Sequence, residues 1–567
     1  MIEWIVATLR DNPVLAVYVA IAIGYWVGSF KFGSFSLGSV TGVLLAGLLV
    51  GQLGMTVGGD VKTIFFLMFL FAVGYGVGPQ FVRGLASDGI PQAIFAVLIS
   101  LLCLGSVFAC SLLGGFTGDQ LGFGAGLLSG SQTISASIGL ATDAINDLGK
   151  SAAETKALLD QIPVAYAVCY IWGTLGTGMI VTYLGPILIG TNIEDACKDY
   201  EAKMGGKPDE DFQSAWHKLE MRGYRIDATS QVVGQTVAQA EGLHASGERL
   251  FIERIQRGKE FIDAEPTTVL QPGDIVAVSG PTQILVESIE QQATEVTARD
   301  LLNIPVESVD IVVTRKRYNG KTLEELAQLD FARGVYLNNI ARGSAGVSIP
   351  ILPKTAIHRG DLLKIAGTRR HTDRLIKEMG YADRPSQMAD MVFVGLGIFV
   401  GALLGAITVP ISGVPLTLST SGGALIAGLI IGWLRSVHPT FGRIPGPTLW
   451  FMNNVGLNMF IAVVGINSGT GFVSGLKSAG LKIFILGILA TSIPMLLAPL
   501  IGKYIFKFHP AINLGCCGGA RTSTASVGMV AEAAKSNIPM LGYTVPYAVS
   551  NTLLTLWGLV IVLMLPK

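Results

Sequence analysis

Charge is what this sequence has least of: Asp, Glu, Lys and Arg make up 14% of its 567 residues, while half are hydrophobic. Soluble domains carry about a quarter charged residues, so most of this chain must meet lipid. The 40 basic and 40 acidic residues cancel, and no basic tract carries the interleaved aromatics that nucleic acid needs, which excludes that partner. Histidine is scarce too. The apolar thirds contain only His438 and His509, each followed by proline, with neither H-E-x-x-H nor G-x-S-x-G around them. An intramembrane enzyme needs a base beside a nucleophile, or metal ligands facing one another, so the chain reads as a non-enzyme. The six cysteines (Cys103, Cys110, Cys169, Cys197, Cys516, Cys517) show no metal-ligand or redox spacing. No G-x-G-x-x-G follows a strand, and no cofactor is expected.

What charge there is lies in the middle: 55 charged residues fall in 190–390, against 12 in 13–189 and 10 in 391–567. A spanning helix takes about 20 apolar residues. Candidate spans in the first third lie near 13–30, 37–54, 63–82, 91–115 and 161–189, the first being a retained N-terminal segment. Those in the last third lie near 391–408, 420–434, 449–469, 480–502 and 541–565. Residues 121–145 and 511–537 are rich in Gly, Ser, Thr and Ala and read as re-entrant or broken helices.

The two apolar thirds are copies. GVLLAGLLVGQL from Gly42 returns as GALIAGLIIGWL from Gly423, and eleven positions between Met68 and Gly89 recur 391 residues later. GSQTISASIGLATDA (130–144) lies on GARTSTASVGMVAEA (519–533) at an offset of 389. Five crossings per copy invert the second copy relative to the first. The expected fold is therefore a polytopic α-helical membrane protein of two inverted repeats, each of about five spans plus one re-entrant segment. The domains expected are a transmembrane repeat over 1–190, a linker and first small lobe over 191–292, a second lobe over 293–388, and a transmembrane repeat over 389–567. Each repeat is expected to form its own bundle and bring one polar hairpin to a shared central cavity. Arg435, Arg443, Lys503, Lys507 and Lys535 fall on the face shared with the middle region, which places 191–388 in the cytoplasm and both termini outside. In the first third Lys31 and Arg83 fall inside against Arg10, Lys62, Lys150 and Lys156 outside, so the orientation rests mostly on the second repeat.

Within the middle, 217–292 and 306–380 are themselves two copies of an α+β unit. Gly234-Gln235-Thr236-Val237 answers Gly320-Lys321-Thr322-Leu323, and Gly273-Asp274 answers Gly360-Asp361. These lobes resemble the RCK-C or TrkA-C modules of potassium channels and transporters, which implies a small regulatory ligand.

The candidate site lies in the paired motifs. Gly130, Ser131, Gln132, Thr133 and Ser135 in one, and Gly519, Arg521, Thr522, Ser523 and Thr524 in the other, combine close backbone approach with hydroxyl groups. Each following half-helix points its free amides at the membrane midplane, where a carboxylate binds well. Arg521 adds a full charge able to grip a carboxylate through two hydrogen bonds. The same residues also suit plain helix packing, with Arg521 reaching for the cytoplasmic face. Asp143 and Glu532, equivalent in the repeats, read as proton or cation sites, as partners of Arg521, or as solvated helix ends. Asn453, Asn454, Asn458 and Asn467 suit hydrogen bonding between helices, with lining or gating of the path as the second role. Val73-Gly74-Tyr75-Gly76 matches a potassium filter in its letters, but sits inside a span with no pore helix ahead of it. A potassium channel is the rival reading.

Taken together, the paired motifs, the GYTVPYAVSN stretch (542–551) and the paired lobes resemble the aspartate:alanine exchanger family over essentially the whole chain. The resemblance implies electrogenic aspartate:alanine exchange in a bacterial inner membrane, with succinate-type exporters among the relatives. It also implies a homodimer, with a small anionic or zwitterionic substrate such as aspartate, alanine or a dicarboxylate.

Overall fold

A computed structural model describes all residues except 1, 33–34, 37, 85–88, 206–218, 243–249, 282–284, 286–292, 344–345, 383–388, 412–413, 439–440 and 567. Part of the expected linker, the end of the first lobe and the boundary near 388 lie outside the described residues. So do the side chains of Lys31 and Arg83.

The first repeat runs through α1 (Ile2–Asp11), α2 (Pro13–Gly28), α3 (Ser39–Gly51), α4 (Gly59–Gly84), α5 (Ile90–Gly114), α6 (Leu121–Ser131), α7 (Ala136–Asn146) and α8 (Ala152–Met179). Helix α9 (Ile193–Lys203) leads into the lobes. The second repeat runs through α11 (Met391–Gly405), α12 (Ser419–Val437), α13 (Gly446–Tyr504), α14 (Pro510–Ala520), α15 (Thr524–Ala534) and α16 (Pro539–Met564). α10 (Arg369–Met379) lies in the second lobe. Both polar stretches are broken helices, α6–α7 and α14–α15, as the sequence suggests. α8 begins well before residue 161, because Ser151 and Glu154 form a reciprocal capping box at its start.

Six of these helices are long and apolar enough to cross a membrane, or seven if the bent pair at the N-terminus counts as one span. α3 and α11, at 13 and 15 residues, fall short of the roughly 30 Å hydrocarbon layer. The expected spans 449–469 and 480–502 are one hydrogen-bonded run of 59 residues. Straight, it would extend about 88 Å. Instead its start meets Tyr75, whose hydroxyl donates to Gly442 O at 3.0 Å. Its end meets Phe95, 5.6 Å from Phe506. Both contacts lie near the α4–α5 junction, so α13 doubles back between Gly469 and Gly480.

That reversal divides the molecule differently from the repeats. α2, α3 and α4 pack with α11, α12 and the first part of α13, while α5–α8 pack with the second part of α13 and α14–α16. The expectation of one bundle per repeat is corrected: each bundle is built from both halves, because α4–α5 and the two parts of α13 carry the chain from one bundle to the other. The VGYG stretch lies within the continuous helix α4. A methyl group at Gly74 would overlap Leu425 O of α12, so this glycine serves close helix approach.

The two lobes have one topology. In the first, β1 (Leu219–Ile226), β2 (Phe251–Arg257), β3 (Glu260–Asp263), β4 (Ile275–Pro281) and β5 (Ala293–Glu295) form an antiparallel sheet in the order β3-β2-β4-β1-β5. In the second, β6 (Val306–Val313), β7 (Val335–Arg342), β8 (Val347–Ile349), β9 (Leu362–Thr368) and β10 (Gly380–Ala382) repeat it as β8-β7-β9-β6-β10. The internal copies share side-chain pairs as well: Arg257–Asp274 at 2.8 Å matches Arg342–Asp361 at 2.5 Å. The lobes meet through Arg333 and Glu241 at 2.5 Å. The second lobe reaches both bundles, through Tyr381 under Arg435 of α12 at 4.4 Å and through an apolar cluster containing Val527 and Tyr543.

Candidate functional site

Each broken helix ends its first half in the same way. The amides of Thr133 and Ile134 donate to Gly130 O and Ser129 O, and those of Thr522 and Ser523 donate to Gly519 O and Gly518 O. Turning the chain so tightly puts Thr133 at φ 54° and Thr522 at φ 53°, a left-handed conformation that costs a threonine about 1–2 kcal/mol. The same strain at positions 389 apart shows that the duplication extends to backbone conformation. Gly130 and Gly519 are required by their crossings: a methyl at Gly130 would lie 2.6 Å from Tyr166 O, and one at Gly519 would overlap Tyr543 O.

The two tips touch. Arg521, with none of its surface exposed, donates to Gln132 Oε1, to Ser131 O at 2.6 Å and to Thr177 Oγ1 at 3.1 Å. Gln132 is held in turn by its amide nitrogen, which donates to Ser131 Oγ at 3.1 Å and Ala490 O at 3.2 Å. Arginine cannot shed its proton in a protein, and a buried charge costs several kcal/mol unless compensated. Ser131 O closes α6, so the negative end of that helix faces the guanidinium and offsets part of the cost. No carboxylate among the described residues forms an ion pair with Arg521, and its Nε–H is buried without a partner.

The remaining polar residues divide by role. Ser135 Oγ meets the Tyr166 hydroxyl at 2.6 Å and Thr524 Oγ1 meets that of Tyr543 at 3.0 Å. Ser523 caps α15 by accepting from Ser526 N. Asn467 clasps the backbone of Val57, accepting from its amide at 2.7 Å and donating to its carbonyl at 3.0 Å; this is a tie between segments, away from the tips. Asp143 is within electrostatic reach of Lys62 and near the hydroxyls of Ser419 and Ser421, and Glu532 is exposed. Neither acid pairs with Arg521. Thr177 was not singled out in the sequence, although its run Gly173-Thr-Leu-Gly-Thr-Gly178 has the small, hydroxyl-bearing character of the two motifs. Cys103, whose thiol contacts Arg521, sits in a plain apolar run and gave no signal.

The hairpins differ in exposure. From Ala136 to Ile145, α7 is buried apart from a half-buried Asp143, whereas Thr524, Ala525, Glu532 and Ala533 of α15 are exposed. The tips are therefore sealed on the side away from the lobes, and the second hairpin opens toward the lobes.

Comparison with known proteins agrees with this architecture. A family model described as "Predicted Permease Membrane Region" (Asp-Al_Ex) matches residues 16–186 and again 393–563. A TrkA-C domain model matches 221–289. An uncharacterized transporter of Shewanella oneidensis is 49% identical over 99% of this chain and all of its own length. One from Bradyrhizobium diazoefficiens is 40% identical over 92% of this chain and all of its own length. A third, from Bordetella parapertussis, is 36% identical over 99% of this chain and 98% of its own. No solved structure matches. Two copies of the membrane region around a TrkA-C domain make this multi-pass membrane protein a member of the Asp-Al_Ex permease family, the aspartate:alanine exchanger type that its motifs resemble.

Proposed function

We propose that the protein is a secondary transporter that exchanges small carboxylates by alternating access, with aspartate against alanine as the pair its family resemblance implies. The observation that carries this reading is Arg521, a permanent charge buried at the meeting point of two hairpin tips with no acidic partner among the described residues and with Nε–H unused. A carboxylate accepting from that edge of the guanidinium supplies the missing counter-charge, and the amino end of α15 adds a favourable dipole. The groups around Arg521 are an amide, a backbone carbonyl and a hydroxyl that accept from it, and the Cys103 thiol. None is an acid able to hold an ammonium group, which favours a dicarboxylate as the second reading.

The lobes face the cytoplasm of a bacterium in this reading, with the basic residues Arg435, Lys503 and Lys535 beside them, and they take a small regulatory ligand in a homodimeric carrier. The deciding experiment loads proteoliposomes with aspartate, alanine, succinate or buffer and follows entry of labelled aspartate and labelled succinate without an imposed ion gradient. Exchange requires uptake that depends on the internal substrate. Uptake indifferent to the internal load, or a potassium current in place of uptake, sinks the proposal.

A further inference from the structure

The repeats give every contact on one side of the tips a counterpart on the other, and the two counterparts are not in the same state. On the side away from the lobes, Gly139 of α7 lies under the Phe66 ring of α4, so closely that a methyl group there would overlap the ring. One turn further along both helices, Asp143 of α7 and Lys62 of α4 feel each other's charge without forming an ion pair, and the Ser419 and Ser421 hydroxyls at the start of α12 approach the Asp143 carboxylate. Helix α7 belongs to one bundle, α4 and α12 to the other, so this cluster joins the bundles. On the lobe side, the equivalent of Gly139 is Gly528, where among the described residues nothing beyond its own helix lies within 4 Å of where its methyl would be. The equivalent of Asp143 is the exposed Glu532. The offset of 391 carries Phe66 to Leu457 and Lys62 to Asn453. Asn453 has a buried side-chain oxygen with no hydrogen-bond partner among the described residues.

We propose that these are the two halves of one latch, closed alternately. In the conformation seen, the packing of Phe66 on Gly139, aided by the attraction between Lys62 and Asp143, holds the bundles together on the far side. In the opposite conformation, Leu457 packs on Gly528 and Asn453 donates from its amide to Glu532, while the far-side cluster opens. The physical reason is the inverted duplication: two copies of one sequence can exchange conformations at little net cost, because each state uses the contacts of the other in mirror order. One oxygen of Asp143 remains buried without a hydrogen bond, which keeps the closed half shallow enough to release.

The inference rests on the alternating-access reading, and it is tested without knowing the substrate. Full-length protein in membrane vesicles is made with Phe66→Cys and Gly139→Cys, or with Leu457→Cys and Gly528→Cys. Lys62→Cys with Asp143→Cys, and Asn453→Cys with Glu532→Cys, serve as second pairs should the glycine variants not fold. Disulfide formation under mild oxidation is followed by mass spectrometry. Both far-side and lobe-side pairs are expected to close. Asp143→Asn, placed in the Leu457→Cys and Gly528→Cys protein, is expected to speed the lobe-side link about fivefold by freeing the far side. Glu532→Gln is expected to slow neither link on the far side. Far-side closure with no lobe-side closure, or rates untouched by Asp143→Asn, overturns the latch whatever is transported. Failure of exchange with intact two-sided closure overturns the substrate reading and leaves the latch standing.

Discussion

At the scale of single residues, Arg521 carries the argument. Lysine keeps its charge but is a point donor without the planar fork, and glutamine is neutral. Arg521→Lys and Arg521→Gln are both expected to raise the Km for a transported carboxylate at least about tenfold, since charged hydrogen bonds contribute about 1.5–3 kcal/mol each. Counterflow at graded substrate concentration measures this, and wild-type affinity in either variant ends the assigned role. A second residue, His371 in the interface between the lobes, sets a pH dependence. Burial lowers its pKa, and the charges of Arg333, Arg374 and Arg370 add to that effect. Its Nε2 stands 3.6 Å from Glu253, whose pKa burial raises. A folded pKa below the ordinary value of about 6.5 means that the stabilising contribution of neutral His371 is full above that pH and is lost as pH falls toward the folded value. Glu253 runs the other way: its contribution is full in acid and is lost as pH rises through its raised value. The difference in Tm between wild type and His371→Gln isolates the imidazole, and it is expected to shrink as pH drops from 7 to 5. A difference constant across that range contradicts the assignment.

At the scale of elements, the hairpins were legible because their composition is wrong for a lipid-facing helix and because it recurs. Gly, Ser and Thr at equivalent positions named the tips, and the tips are where Thr133 and Thr522 turn the chain. Helix lengths were less legible. Composition marks the glycine-rich stretch between Gly469 and Gly480 where the chain reverses, but not where hydrogen bonding stops, so two separate spans are expected where the helical run continues through the reversal. The potassium-filter letters occur inside a helix for a related reason: the same glycines that free a loop also let two helices touch. Gly74 is the test of that explanation. Gly74→Ala places a methyl against Leu425 O and is expected to destabilise the α4–α12 pair by about 1–3 kcal/mol, as overpacking does. Thermal unfolding in detergent reads this as a lower Tm, and an unchanged Tm returns the glycine to some other role.

At the scale of the whole molecule, the second lobe touches both bundles on the side where the second hairpin is open, through Tyr381 under Arg435 and the cluster around Val527 and Tyr543. A body attached to two moving parts restrains them. Tyr381→Ala removes a cation–π contact with the buried Arg435, contributing about 0.5–2 kcal/mol, and it is expected to raise the exchange rate at least about twofold with little change in Km. Initial rates of counterflow decide it; a slower carrier with altered Km means that the lobe supports the site and does not restrain it.

By itself the sequence determined what depends on local composition and on repetition: that the chain enters lipid, that its halves are duplicated, that a charged α+β pair sits between them, and that two polar hairpins break the apolar thirds. It did so because hydropathy and repeat register are read along the chain. Which residues face one another was decided only by the tertiary structure. The fold-back of α13, the sharing of each bundle between both repeats, the approach of Thr177 and Cys103 to Arg521, and the difference between a sealed Gly139 and an open Gly528 all join positions tens to hundreds of residues apart. No local pattern encodes such distances, since they follow from how the helices pack against one another across the whole molecule.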